Sequence, residues 1–383
     1  MSRFWIVGTL ACWCACGPLS PPGADAGVDG GGATGGGSNA TGGGATGGGG
    51  AATGGGGGVT GGGGGATGGG GGTTGGGGGA MQDAGLPPLT WSSVAVTGSP
   101  STLEIRGLDG TASDLWAVQK LGDVLHSTGG AFAWQFKLDF GAVDVAVAGS
   151  TVVIVQDRAI RTCTSNCTVA TSYATLALLD SGKSWDLTGV SACAVSPTQI
   201  FAVINDTSSM GHLFEWNGTT WTRGAPLGLK YPSRCWVDPS GTVFVAGQDK
   251  VVVAQSPSPL TTDSSFFFHG AVVDGAAWVV GQKDQIYRRP AGGAWAPVGS
   301  PGSSNDLLRA VGGLRGDEVF FFGNFSNTRG NGYVWNGSQL APAGSLLPGF
   351  DAQSLVFVVR RVGDTLYVAG SNPSGPVIAR GSR

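Results

Sequence analysis

The chain has 383 residues, of which 74 are glycine and only 12% are charged, with a net charge of −3. A nucleic-acid-binding surface needs a clustered positive footprint, and this balance offers none. Three histidines (126, 212, 269) and three glutamates (104, 215, 318) leave little for metal ligation or acid–base pairs, so no metal and no cofactor is implied.

Residues 1–16 read as an export signal. Arg3 is followed by an apolar run from Phe4 to Ala15. That run is shorter than the roughly 20 residues a membrane span takes, and fits a signal-peptide core. Its end carries Cys12, Cys14 and Cys16. A short signal ending in small residue–Cys resembles the lipobox of bacterial lipoproteins, in which the cysteine becomes the lipidated first residue of the mature chain. Ala15-Cys16 is the favoured site and Ala11-Cys12 the alternative, although neither has the usual Leu three positions upstream. The resemblance implies an outer-membrane or cell-surface lipoprotein; plain cleavage would give a periplasmic or secreted one. Lipidation at either site leaves an even number of thiols, which suits an oxidising compartment.

Residues 17–85 form a Gly/Thr/Ala-rich tether. Glycine has maximal backbone entropy and nothing to bury, so this tract cannot offset the cost of ordering. It has neither the proline period of collagen nor the strand and helix that flank a phosphate loop. As a flexible coil it would span roughly 45 Å, enough to hold a domain clear of a membrane yet local to it.

Residues 86–383 carry a repeat. Short apolar runs recur around Trp116, Val153, Phe201, Phe244, Trp278, Phe320 and Tyr367, at steps of 37, 48, 43, 34, 42 and 47 residues. Periods of this size belong to propeller blades. Each repeat breaks into runs of four to six residues bounded by Gly, Asp, Pro or Ser, as in "GAVVDG", "AAWVVG", "QIYRRP" and "AWAPVG". Long helical spacing is absent, and Val, Phe, Trp and Thr are frequent. The expected fold is therefore all-β: a β-propeller of seven four-stranded blades, with six or eight also compatible. The last repeat stops one strand short, and the orphan run "LTWSSVAV" at its N-terminus is expected to complete that blade and hide its edge.

A second motif recurs, Gly-x-x-Trp. Its copies are Gly182–Trp185, Gly218–Trp221 and Gly292–Trp295, with Gly337–Leu340 as a variant. The first, Asp180-x-Gly182-x-Ser184-Trp185, resembles the Asp-box (BNR repeat) of sialidase-like propellers. The copies "WNGTTW" and "VWNGSQ" look more like Kelch-like and related Trp-rich propellers, and the whole layout is similar to propeller lipoproteins of myxobacteria. In those families the Asp-box is a structural turn, so Asp180, Gly182, Ser184 and Trp185 are expected to hold an outer turn and do no chemistry.

Arg106, Arg234 and Arg309 lie 10, 10 and 11 residues before their repeat's marker, and Arg360 and Arg361 lie six to seven before theirs. The first three fall near the start of the innermost strand and the last two in the corresponding strand, and several guanidiniums around one mouth could grip a carboxylate or sulfate. Local pairing with Asp is the competing reading. Cys163 and Cys167, and Cys193 and Cys235, are disulfide candidates, the second pair across two inner strands. Trp216 and Trp335 are candidate sugar platforms. The function expected is non-catalytic: a membrane-anchored, monomeric binding module for envelope proteins or glycans. A sialidase-like hydrolase, with Glu104 beside Arg106 and Tyr231 near Arg234, is one alternative. A purely structural envelope protein is the other.

Overall fold

The computed structural model describes residues 87–178, 188–253, 256–283, 285–299, 307–324, 332–343, 347–351 and 353–383. The signal, Cys12, Cys16, the tether to residue 85 and the Asp180–Trp185 motif lie outside the described residues. All the described residues fall in one compact unit, Gly75–Arg383. Among them there is one 3-10 turn, Ala170–Ser172, and no α-helix.

Strands β1 (Thr90–Val94) and β2 (Val96–Thr97) come first. Then follow β3 (Ile105–Thr111), β4 (Asp114–Gln119), β5 (Asp123–Ser127) and β6 (Phe132–Lys137). The next sheet holds β7 (Ala142–Ala148), β8 (Thr151–Gln156), β9 (Ala159–Cys163) and β10 (Ala174–Ala177). A nine-stranded sheet runs through β11 (Thr188–Ser196), β12 (Gln199–Asn205), β13 (Met210–Trp216), β14 (Trp221–Val237), β15 (Val243–Val253), β16 (Ser256–Val273), β17 (Ala276–Gly281), β18 (Ile286–Arg289) and β19 (Ala296–Gly299). The chain ends with β20 (Leu307–Arg315), β21 (Glu318–Asn324), β22 (Tyr333–Trp335) and β23 (Leu340–Pro342), then β24 (Leu355–Val362), β25 (Thr365–Asn372) and β26 (Gly375–Ser382).

Successive strands within each sheet pair antiparallel, and β2 alone runs parallel to its partner β6. Within the nine-stranded sheet the pairing changes hands. Trp221–Pro226 of β14 lies on β13, whereas Arg234–Val237 lies on β15. Likewise Ser256–Thr261 of β16 lies on β15, and Phe267–Val273 on β17. One continuous strand thus serves as the outer strand of one four-stranded unit and the inner strand of the next. The left-handed residues Gly228 (φ 63°) and Tyr231 (φ 44°) mark the handover in β14.

The inner strands touch in sequence, β3 on β7, then β11, β14, β16, β20 and β24, and β24 returns to β3. β1 lies on β26, from Thr90 opposite Ser382 to Val94 opposite Ile378. The orphan N-terminal strand therefore covers the last sheet's outer edge. Trp91 seals the join: a Cβ added at Gly381 would sit 2.9 Å from its ring.

The second strand of each unit is apolar on both faces because neighbouring units cover both. Thr151–Gln156 and Ala276–Gly281 are buried at every position. A buried strand of this kind reads as a continuous apolar run, not an alternating one. Trp278, fully buried, sits against Phe321 and Trp335 of the next unit at ring distances of 5.6 and 6.0 Å.

Candidate functional site at the channel mouth

The ring is stitched around its centre by polar side chains that each satisfy the next inner strand. Asp109 accepts the Val147 N–H (2.9 Å), Asp144 the Ala192 N–H (3.0 Å), Ser191 the Cys235 N–H (3.1 Å) and His269 Nδ1 the Val311 N–H (3.4 Å). Each bond gives an inner-strand amide a side-chain partner from the neighbouring inner strand, and a buried amide must be paired. Close approach of these strands also demands glycine: a Cβ at Gly107 would lie 2.6 Å from the Val145 nitrogen. Disulfides join Cys163 to Cys167, and Cys193 on β11 to Cys235 on β14.

All inner strands start at the same end of the ring. There Arg106 of β3 and Arg309 of β20 flank Phe357 of β24, and together they line a cavity of 170 Å³. Val143, Val190 and Phe268 complete its apolar wall, with Ser233 and Arg234 from β14. Three of the four sequence-predicted arginines therefore meet at one mouth.

Arg360 does not join them. At the level of Arg106 and Arg309, the last inner strand presents Phe357. Arg360 is three residues further on and opens into a second, 470 Å³ cavity with Asp109, where the two form an ion pair at 2.6 Å. The reading that grouped it with the others is corrected on that ground. Arg361 lies in the same cavity and donates to the carbonyls of Leu314 (2.8 Å) and Gly363 (3.0 Å).

The three mouth arginines differ in their partners. Arg234 lines both cavities and is held by Asp144 at 3.0 Å. Asp144 also accepts from the Ser191 hydroxyl (2.7 Å) and from the backbone N–H of Val145 and Ala192. Burial pushes the Asp144 carboxyl up from its ordinary value, against the pull of Arg234 and these donors. Arg106 is bound to Glu104 and lies 4.4 Å over the Phe357 ring. Burial alone would raise Glu104, but its own backbone N–H, Arg106 and Lys120 outweigh that and hold it below the usual value.

Arg309 is the exception. It stacks 5.2 Å over Phe268 and 5.8 Å over Phe357, and its buried Nε has no acceptor among the described residues. Burial, then the charge of Arg106, lowers its pKa from the ordinary guanidinium value.

The remaining candidates are placed elsewhere. Tyr231 is exposed at the handover within β14, just before its mouth-forming stretch. Trp216 is buried against Trp221, at a ring distance of 5.7 Å, so it cannot serve as an exposed sugar platform. Trp335 packs on Trp278. The "WNG" copies form turns before the outermost strand. Asn217 accepts the N–H of Thr219 and Thr220, with Gly218 at φ 96°, and Asn336 accepts those of Ser338 and Gln339, with Gly337 at φ 93°. The Asp180–Trp185 motif, expected to hold an outer turn, lies outside the described residues. The histidines sit apart: His126 on Asp114 (2.7 Å), His212 on Asp206 (3.0 Å) and His269 in the ring centre. Among the described residues no three His, Cys, Asp or Glu side chains converge as metal ligands.

Two aromatic members of the mouth were not singled out from sequence. The offset that selects Arg106, Arg234 and Arg309 also lands on Phe268 and Phe357, ten residues before Trp278 and Tyr367, and on Val143, ten before Val153. The signal is the offset itself, which carries apolar residues as well as charged ones. Asp109, Asp144, Ser191 and His269 lie 7, 9, 10 and 9 residues before their markers, so no single offset selects them and only folding aligns them.

An all-β ring of radially arranged antiparallel sheets is a β-propeller. No protein-family model and no curated protein matches the chain. Solved structures do. YCF48 bound to D1 peptide superposes at a TM-score of 0.58 with 14% identity, over 78% of this chain and 96% of that one. YCF48 from Cyanidioschyzon merolae gives 0.57 and 13%, over 76% and 98%. A chain of the mitotic checkpoint complex gives 0.58 and 13%, over 77% and 92%. At these identities the likeness carries the fold alone.

Proposed function

We propose that this protein is an exported, lipid-anchored, seven-bladed propeller that works by binding, through the arginine-lined mouth of its ring. The carrying observation is Arg309, a guanidinium held beside Arg106 with a buried Nε and no acceptor among the described residues. A structural arginine is normally paired or solvated, whereas this one is half-withdrawn from water and repelled by its neighbour. An anion arriving between the two would relieve both penalties.

The export signal ending at Cys16 (or Cys12), the long glycine tether and the two disulfides together support an envelope location. Binding as the mode of action agrees with the propeller neighbour that was solved with a peptide. The partner is an envelope protein or an acidic glycan, met by a monomer on a leash.

Thermal shift of the full chain tests this, with sulfate, small dicarboxylates and acidic saccharides as probes. A probe at 100 times its Kd stabilises by about 2.7 kcal/mol. The shift is expected in the native protein and lost in R106A/R309A. Arg234 is left in place, because removing it would strand the buried Asp144 charge. An equal shift in the double variant would move the site elsewhere, and no shift with any probe would favour the structural role.

A further inference from the structure

The mouth is small, and its chemistry is lopsided. Its 170 Å³ equals about five or six waters at about 30 Å³ each. Two guanidiniums share one aromatic ring, Phe357, from either side of the cavity. The rest of the wall is Val143, Val190 and Phe268, with one hydroxyl, Ser233, which already donates to the Phe267 carbonyl. A sugar ring needs several polar partners for its hydroxyls, and this wall supplies none to spare. Sulfate needs no apolar wall. What matches is a carboxylate with apolar surface directly beside it.

A chain-terminal apolar residue has that shape, since its α-carboxylate and side chain leave the same carbon. An Asp or Glu side chain offers its carboxylate on bare methylenes and leaves the Val and Phe wall uncovered. The rim agrees. Leu121, Phe140 and Tyr231 are each 41–50% exposed. They occupy the turn after β4, the approach to β7 and the approach to the inner part of β14, all at the end where the inner strands begin. An extended peptide leaving the mouth would run over them.

Resting on the binding role proposed above, we propose that the mouth takes the free C-terminal carboxylate of a peptide whose last residue is apolar. Arg309 and Arg106 grip the carboxylate, and Phe268, Val143 and Val190 take the side chain. Arg234 contributes position only, being held by Asp144 and by a 3.4 Å bond to the Arg106 carbonyl.

The test immobilises the full chain and passes over it pooled hexapeptides randomised in their last three positions, made once as free acids and once as C-terminal amides. Retained species are read by mass spectrometry. Free acids should be held at least tenfold over amides, with Leu, Val, Phe or Met enriched at the last position. R309Q and R106Q should each lose that preference while melting like the native protein. R309K, which keeps the charge without the fork, should weaken retention and keep the acid preference. Equal retention of acids and amides, or retention that follows internal Asp or Glu, overturns the terminal-carboxylate inference and leaves a binding mouth intact. Retention of neither form overturns it too. If the anion shifts described above are also absent, the mouth as a site falls with it.

Discussion

Arg234 and Arg309 stand at almost the same offset in two repeats and meet opposite fates. Arg234 faces Asp144 across the ring and is neutralised there, while Arg309 lies between two phenyl rings beside another cation. The difference is set by what the neighbouring inner strands bring to the same level, which no single repeat encodes. His269 shows the same dependence. Burial, with Arg234 and Arg360 nearby, holds its imidazole well below the ordinary range, so it stays neutral in the folded ring. In the unfolded chain it takes up a proton at its ordinary pKa of about 6.5. The unfolded state then binds more protons, so stability is lost as pH falls below that value. Thermal melts from pH 8 to pH 5 are expected to show a midpoint falling below about pH 6.5, with a shallower fall in His269→Gln. Identical slopes in the two proteins would show that His269 is not the group responsible.

At the level of the strand, the marker runs were legible because a strand buried on both faces leaves an unbroken apolar signature. The register changes within β14 and β16 were not, because a continuous strand shows no gap where its partner switches. β1 is the element on which ring closure depends. It gives β26 a partner along five residues and places Trp91 edge-on to Phe320 at 5.7 Å. Without it β26 would expose a row of unpaired N–H and C=O groups, a template for association between chains. Deleting residues 84–97 is expected to lower the melting midpoint by roughly 10 °C or more, the change that a loss of several kcal/mol produces in a domain of this size. Sedimentation should reveal self-association. A deletion variant that melts like the native protein and stays monomeric would mean the edge is protected another way.

For the whole molecule, the disulfide between Cys193 and Cys235 spans 42 residues and staples two inner strands of neighbouring units. Closing a loop of that length constrains the unfolded chain by about 4 kcal/mol in the chain-entropy model, a gain realised only in an oxidising compartment. The proposed export would therefore bear on stability as well as on location. Labelled fatty acid should be incorporated by the native chain and lost in Cys16→Ser. Loss only in Cys12→Ser would move the anchor to the alternative site, and incorporation by the double variant would remove it from both.

Composition, period and turn chemistry by themselves determined that this chain carries repeats of short strands behind a glycine-rich tract. Those properties are local: each repeat carries its own apolar run, its own turn residues and its own offset to an inner-strand start. That offset also brought three arginines into view. Only the tertiary structure decided which of them keeps a buried Nε without an acceptor among the described residues. It sent Arg360 to the far cavity, neutralised Arg234 on Asp144, buried Trp216 and set Phe268 and Phe357 beside Arg309. The physical reason is that the mouth takes one or two positions from each inner strand, drawn from residues more than 200 positions apart in sequence. Charge balance and cavity shape there follow from how those strands meet around the ring, and no local pattern carries that information.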